Sequence, residues 1–227
     1  MNRRRLALAV LPLLLAVTAC TSGTADDEPA PRPAAAERPS PFRDCATLST
    51  APTATSPGSG TATPKTATPA SPGTTAPDGT TTRAPGGSAL PELTLSCFTG
   101  GAPVVLREVA GPAVINVWAS WCPPCRKELP AFQRLSERAA GQLQVVGVNS
   151  RDSRGGAQSI GEDFGVRFPI LVDQGEALQR ELKRNAIPLT LFVDADGQVR
   201  HIDASGALDD TRLAKLVRQH LGLAVPA

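Results

Sequence analysis

A stretch of 40 residues that lacks bulky apolar side chains divides this sequence. Apart from three charged residues, residues 49–88 are all Ser, Thr, Ala, Pro or Gly. Burial of such a segment cannot offset the conformational entropy lost on folding. Apolar periodicity begins only after this stretch, and we place the folded domain at residues 90–227, which is enough for one hydrophobic core. We expect residues 20–89 to form a disordered tether.

The first 20 residues have the organisation of a secretory signal. Arginines at positions 3–5 precede an apolar run over residues 6–17, which is too short for a comfortable membrane span, and small residues precede Cys20. The sequence VTAC resembles the lipobox of bacterial lipoproteins, in which the cysteine is lipidated. We expect residues 1–19 to be removed and Cys20 to anchor the protein to the extracytoplasmic face of the cell membrane. The alternative is an ordinary signal peptide, with Cys20 incidental.

The charge and the aromatic content argue against a nucleic-acid partner. The formal net charge of the chain is +2, but three of its basic residues lie in the signal segment. Tyrosine is absent, and no basic stripe with interleaved aromatic residues is visible. We therefore expect no contact with nucleic acid.

Apolar patterns in the second half of the chain predict alternating strands and helices. Buried strands are indicated at residues 113–119, 143–150, 168–173 and 189–194, and a hairpin partner at 198–204. Helices are indicated from the cysteine pair to near Gly141, at 156–165, at 176–183, and from a cap near Asp209 or Asp210 onward. This alternation predicts an α/β fold with a mixed sheet.

Two cysteines separated by two prolines lie between a predicted strand and a predicted helix. Cys122 would begin the helix, where free backbone N–H groups and the helix dipole stabilise an anion, so its thiol pKa should fall. Cys125 is one turn further on and could form a disulfide with Cys122, while Pro123 and Pro124 stiffen the turn. Zinc usually requires four ligands, and this domain adds only one cysteine and two histidines without suitable spacing. The pattern therefore predicts a redox-active dithiol, with no metal and no other cofactor.

Four segments, in this order, resemble the membrane-anchored thioredoxin-like disulfide reductases of the TlpA/ResA type. They are an N-terminal hairpin segment beginning LPELTLSCF, the active-site segment NVWASWCPPCRKELP, a helix–strand insertion running from VVGVNSRDS to FGVRFPILVD, and a cis-proline strand AIPLTLFVDADGQV. The resemblance implies a thioredoxin-like fold: a mixed central sheet flanked by helices, with an N-terminal β-hairpin and a central helix–strand insertion.

The resemblance also implies roles for particular residues. Cys122 would be the attacking thiolate and Cys125 the resolving thiol, with exchange through a mixed disulfide. Pro188 would be a cis-proline that presents the backbone of Ile187 to an extended substrate. The candidate substrate-binding residues are Trp121, Pro123, Pro124, Ile187 and Pro188.

Glu128 has two interpretations. It lies three residues after Cys125 on the same helical face. A glutamate at this place in the family is thought to handle protons, and a carboxylate there would raise the thiol pKa by repulsion. Physical reasoning alone favours a solvated glutamate on the helix surface.

The two further cysteines outside the signal are Cys45 and Cys97. In an oxidising compartment leftover thiols often pair, so we predict a structural Cys45–Cys97 disulfide that holds residues 42–48 onto the domain. The alternative is that these cysteines relay electrons or bind a partner.

The resemblance implies an extracytoplasmic thiol–disulfide oxidoreductase that reduces protein disulfides, for example those of apocytochrome c. Its electrons would come from a membrane-embedded thiol electron carrier (CcdA/DsbD type). A disulfide-forming oxidant with the same site is the main alternative. A peroxidase is less favoured because Ile115 and Ala119 occupy two positions at which the peroxidase loop requires other residues. A copper-binding module is less favoured because its two cysteines are separated by three residues rather than two. A non-catalytic thioredoxin-like binding module is the last alternative.

Overall fold

A mixed sheet of eight strands forms the centre of the described part of the chain. The computed structural model describes residues 38–52 and 87–227. Its strands are β1 (Ser88–Ala89), β2 (Thr94–Cys97), β3 (Val104–Val105), β4 (Ala113–Trp118), β5 (Gln144–Ser150), β6 (Ile170–Asp173), β7 (Leu189–Val193) and β8 (Gln198–Asp203). Their order is β1-β8-β7-β4-β5-β6-β2-β3. β5 is parallel to both β4 and β6, and the other neighbouring pairs are antiparallel, which confirms the predicted mixed sheet.

Four α-helices and one short 3-10 helix accompany these strands in the described residues. They are α1 (Pro123–Arg138), α2 (Arg154–Asp163), α3 (Ala177–Glu181) and α4 (Asp210–Leu221), with the 3-10 helix at Leu106–Glu108. The Ser153 and Asp209 side chains cap α2 and α4 by accepting backbone N–H bonds. α3 is shorter than the predicted 176–183 because Glu176 and Lys183 both have left-handed backbone conformations, with φ of 54° and 53°.

The expected hairpin and insertion are both present. β2 and β3 pair with Thr94 opposite Val105. The insertion consists of α2 and β6, and β6 extends the sheet beyond β5, where Val148 lies opposite Leu171. The fold class predicted from the sequence is therefore confirmed.

Burial of β4 on both faces fixes the centre of the fold. All six of its residues are buried. Because side chains alternate between faces along a strand, Val114 and Trp118 belong to one hydrophobic core while Ile115 and Val117 belong to the other. A strand that is covered on both faces requires apolar, β-branched residues, and these are the residues that predicted β4.

Residues 39–52 differ from the expected tether because they pack against the domain. Phe42 is 5% exposed, and its ring lies edge-on to Phe98 with 4.8 Å between the ring centroids. Leu48 is buried, and its carbonyl accepts hydrogen bonds from the Ala110 N–H and the Gln144 amide. Cys45 is bonded to Cys97. Three apolar residues within a polar stretch give little periodicity, so Cys45 and its expected pairing with Cys97 were the one signal in the sequence that this segment joins the domain.

The other predictions for the N-terminal part fall outside the described residues. These are the signal peptide at 1–19, lipidation of Cys20, and a disordered tether over residues 20–37 and 53–86. Among the described helices, none has the length and apolar character that crossing a membrane requires.

We predict that the Cys45–Cys97 disulfide contributes strongly to stability. The bond joins cysteines separated by 52 residues, and the chain-entropy model assigns about 4 kcal/mol to a loop of this size. Denaturant unfolding of a Cys45→Ala/Cys97→Ala double variant should show a loss of that order. A Cys122→Ala/Cys125→Ala control, whose cysteines are separated by only 3 residues, should lose about half as much. An equal or smaller loss in the Cys45/Cys97 variant would contradict a stabilising role.

Candidate active site

Cys122 lies where β4 leads into α1. It is the N-cap residue of α1, and its sulfur accepts a hydrogen bond from the backbone N–H of Cys125 at 3.3 Å. The two cysteines form a disulfide with 5.3 Å between their Cα atoms. Cys122 is 3% exposed and Cys125 is fully buried, so Cys122 is the sulfur nearer to solvent. A thiolate at Cys122 would face the positive end of the helix dipole.

The two prolines limit how many donors reach the Cys122 sulfur. Pro123 and Pro124 occupy the first two positions of α1 and have no backbone N–H. Cys125 is therefore the first helical residue that can donate to Cys122. Pro123 is exposed and Pro124 half-buried, which leaves Pro123 accessible beside the disulfide.

Asp152 holds the loop that leads to Cys122. Its carboxylate accepts hydrogen bonds from the Ser120 N–H and hydroxyl, both at 2.6 Å, and from the Asn149 amide at 2.9 Å. Asp152 follows β5, whose end lies beside the end of β4 because the two strands are parallel. Asp152 was not among the site residues expected from the sequence. The signal that could have identified it is the polar RDS segment directly after a buried strand.

Trp121 forms an exposed apolar surface next to Cys122. Among the described residues it is the one exposed large apolar side chain, at 52%. Its indole N–H donates to the Arg151 carbonyl at 2.9 Å, and the Arg151 guanidinium lies 5.7 Å from the ring centroid. These two contacts fix the ring orientation. Trp118, by contrast, is fully buried in the core.

Pro188 lies at the same edge of the sheet as the dithiol. The Ile187–Pro188 bond is cis. The next residue, Leu189, pairs with Val117 near the end of β4, so Pro188 is at the strand end from which the chain continues to Cys122. Ile187 is half-buried and packs against the core cluster that contains both active-site cysteines. The structure also contains a cis bond at Gly111–Pro112, which the sequence analysis did not single out.

Glu128 is fully buried, and the interpretation as a solvated helix glutamate is wrong. One carboxylate oxygen accepts a hydrogen bond from the Asn116 amide at 2.7 Å, and the other accepts from the Leu208 N–H at 3.1 Å. Burial raises the pKa of Glu128 from 4.5 to about 7; the two hydrogen bonds act in the opposite direction, and the charge of Asp203 raises it further. The loop before α4 covers this turn of α1, which the periodicity of α1 alone could not show.

The second disulfide is separate from the dithiol. Cys45 and Cys97 are 3% and 6% exposed and belong to one hydrophobic core cluster, whereas Cys122 and Cys125 belong to the other. The structure therefore does not bring the two disulfides together in one site.

The two histidines, His201 and His220, form a stacked pair. The rings of His201 and His220 are parallel within 4°, with centroids 4.0 Å apart. Burial, and then the charge of His201, lower the pKa of His220. No cluster of three or more His, Cys, Asp or Glu side chains suited to a metal ion occurs in residues 38–52 and 87–227.

Comparison with known proteins finds similarity to thiol–disulfide oxidoreductases. The Redoxin family model matches residues 72–216. Thiol-disulfide oxidoreductase ResA from Geobacillus thermodenitrificans is 28% identical over 137 residues, covering 60% of this chain and 75% of the relative. A secreted Mycobacterium tuberculosis disulfide oxidoreductase homologous to E. coli DsbE superposes with a TM-score of 0.51 at 24% identity, covering 56% of this chain and 96% of that chain. A secreted thiol-disulfide isomerase from Corynebacterium glutamicum superposes with a TM-score of 0.51 at 25% identity, covering 59% of this chain and 83% of that chain.

The fold and the helix-capping dithiol define a thioredoxin-like thiol–disulfide oxidoreductase of the TlpA/ResA type. The chain belongs to the Redoxin family.

We predict that Glu128 makes stability fall as the pH rises. Its carboxyl has a higher pKa in the folded than in the unfolded protein, so its stabilisation is complete below pH 4.5 and is lost as the pH passes about 7. The difference corresponds to about 3 kcal/mol. Denaturant unfolding of wild type and Glu128→Gln at pH 4.5 and pH 8 should show that the neutral variant lacks this decrease. If the free energy of unfolding changed equally with pH in the two proteins, this prediction would be contradicted.

Proposed function

We propose that this protein is an extracytoplasmic protein-disulfide reductase that acts through Cys122 and Cys125. The observation that carries the proposal is the asymmetry of the dithiol. Cys122 is the outer sulfur at the helix N-terminus, whereas Cys125 is enclosed one turn from a buried carboxyl. Attack by an outer thiolate and resolution by an inner thiol require this arrangement.

The reduced enzyme begins with a thiolate at Cys122 and a thiol at Cys125. The Cys122 sulfur attacks one sulfur of the substrate disulfide, and the other substrate sulfur leaves as a thiolate and takes up a proton. Cys125 then transfers its proton to the Glu128 carboxylate, and its sulfur attacks Cys122. The bond between Cys122 and the substrate sulfur breaks, and that sulfur leaves as a thiolate and takes up a second proton from solvent. The substrate departs as a dithiol, and the enzyme keeps the Cys122–Cys125 disulfide and the proton on Glu128. Two electrons have passed to the substrate.

The face around the dithiol suits an extended peptide. Trp121 offers a fixed apolar ring beside Cys122, and the exposed Pro123 lies on its other side in the chain. The cis bond at Pro188 turns the backbone of Ile187 at the same edge of the sheet. We assign Trp121, Pro123, Pro124, Ile187 and Pro188 to substrate binding. The substrates are protein disulfides, of which those in apocytochrome c are one example.

Two features near the dithiol favour reduction over oxidation. A strong disulfide-forming oxidant has a reduced state that its surroundings stabilise. Here the proline pair removes two N–H donors from the first turn of α1, and a buried Glu128 carboxylate repels a neighbouring thiolate. Both effects destabilise the thiolate of the reduced enzyme. They therefore favour the transfer of its electrons to a substrate disulfide.

The N-terminal sequence supports an extracytoplasmic, lipid-anchored location for the proposed reductase. The signal-like segment that ends in VTAC supports a lipid on Cys20 and a domain outside the cytoplasm. The secreted relatives from Mycobacterium tuberculosis and Corynebacterium glutamicum support export. Outside the cytoplasm the dithiol needs a dedicated source of electrons. We propose a membrane-embedded thiol electron carrier of the CcdA/DsbD type as that source.

The redox potential of the dithiol tests whether the enzyme reduces or forms disulfides in its substrates. Domain equilibrated in thiol–disulfide buffers would be alkylated, and the Cys122–Cys125 state read by mass spectrometry. We expect a value near or below about −270 mV, that of thioredoxin. A value near about −120 mV, that of strong oxidants, would overturn the reductase proposal in favour of a disulfide donor. A Cys122→Ser/Cys125→Ser control reports Cys45–Cys97 alone and prevents confusion of the two disulfides.

A further inference from the structure

Asn116 is a polar residue in the middle of an otherwise apolar strand. Both its neighbours in β4, Ile115 and Val117, are fully buried, and Asn116 itself is 0% exposed. Its backbone pairs with Gly147 of β5 and Thr190 of β7, so the strand has covered edges as well as covered faces. A buried amide at such a position is unfavourable unless its hydrogen-bonding groups have partners.

The Asn116 side chain directs its hydrogen bonding to Glu128. Its amide N–H donates to the Glu128 carboxylate at 2.7 Å. Its side-chain oxygen is buried and has no hydrogen-bond partner in the part of the chain that the structure describes. The hydrogen bond that the Asn116 side chain makes within the described residues is the one to Glu128. The contact with Glu128 therefore accounts for the presence of asparagine where valine or isoleucine would pack without an unpaired polar atom.

We propose that Asn116 is a positioning residue for Glu128: its amide fixes the orientation of the carboxyl group near Cys125 and sets the pH at which that group exchanges its proton. The inference rests on the proposed role of Glu128 as the proton acceptor for Cys125. The bonds from the Asn116 amide and the Leu208 N–H favour the charged form of the carboxyl, whereas burial favours the neutral form. The two effects together leave the carboxyl ready to both accept and release a proton near neutral pH.

Few other ionisable groups face Glu128. Strands β4, β5 and β7 contain no ionisable side chain. On α1, Cys125 precedes Glu128 by three residues. On β8, Asp203 raises the pKa of Glu128, pairs with Arg212 of α4 and lies 4.0 Å from His201. Further along the contact between α1 and α4, Arg134 and Arg138 pair with Asp210. Asn116 is thus the one side chain of the described residues that hydrogen-bonds to Glu128.

The test is to remove the amide and to follow the Glu128 carboxyl directly. Wild type, Asn116→Val and the control Val114→Ala would be labelled with ¹³C at the glutamate carboxyl carbon and titrated by NMR in the disulfide form, in which the cysteines do not titrate. Loss of the signal in Glu128→Gln assigns it. The control residue lies on the same face of β4 and has no hydrogen bond to Glu128.

We expect the Glu128 midpoint to rise by about one to two pH units in Asn116→Val, the size of effect expected for a lost hydrogen bond to a charged group, and to stay unchanged in Val114→Ala. If Asn116→Val does not fold, Asn116→Thr replaces it, since threonine has a similar volume but its hydroxyl is too short to reach Glu128. An unchanged or lower midpoint in the folded variant would overturn the inference.

The pH profile of disulfide reduction separates this inference from the proposed function. If Glu128 accepts the Cys125 proton, the profile of the Asn116 variant should shift upward together with the NMR midpoint. A shift of the NMR midpoint without a shift of the profile would support the positioning role of Asn116, and would show that Glu128 is not the proton acceptor.

Discussion

The junction between β4 and α1 is the constraint on which the rest of the site depends. β4 is buried on both faces and paired on both edges, so the point at which it ends is fixed. Four residues later Cys122 caps α1, and Asp152 anchors the intervening Ser120 through two hydrogen bonds. A rigid strand and a buried carboxylate therefore hold a sulfur at a helix N-terminus, where the backbone stabilises negative charge.

Opposed electrostatic effects surround the dithiol. The helix N-terminus favours a thiolate at Cys122, whereas the missing N–H groups of the proline pair weaken that effect. Burial pushes Glu128 toward its neutral form, and hydrogen bonds from Asn116 and Leu208 pull it toward the carboxylate. Because neither tendency dominates, small changes in the surroundings can change which group carries the proton. Proton transfer coupled to disulfide exchange requires such a balance.

The sequence predicted the features that depend on local pattern. The order of strands and helices, the mixed α/β sheet and the capping dithiol follow from periodicity and from one motif. The thioredoxin-like fold with its hairpin and insertion was implied by the resemblance of four segments to a known family. The burial of Glu128 could not be predicted in this way because Leu208, which covers it, is 80 residues away. Asp152 likewise holds Ser120 from 32 residues further along the chain. The packing of residues 39–52 depends on a disulfide and a few apolar contacts, which leave almost no periodic signal.

The relative reactivity of the two active-site cysteines tests the account most directly. The reduced domain would be treated with a limiting amount of iodoacetamide at several pH values, and the modified cysteine identified by mass spectrometry. The account predicts that Cys122 is modified first at every pH, since it is the outer sulfur at the helix N-terminus, and that Cys125 stays protected. Modification of Cys125 first, or of both at equal rates, would contradict the assignment of Cys122 as the attacking thiolate.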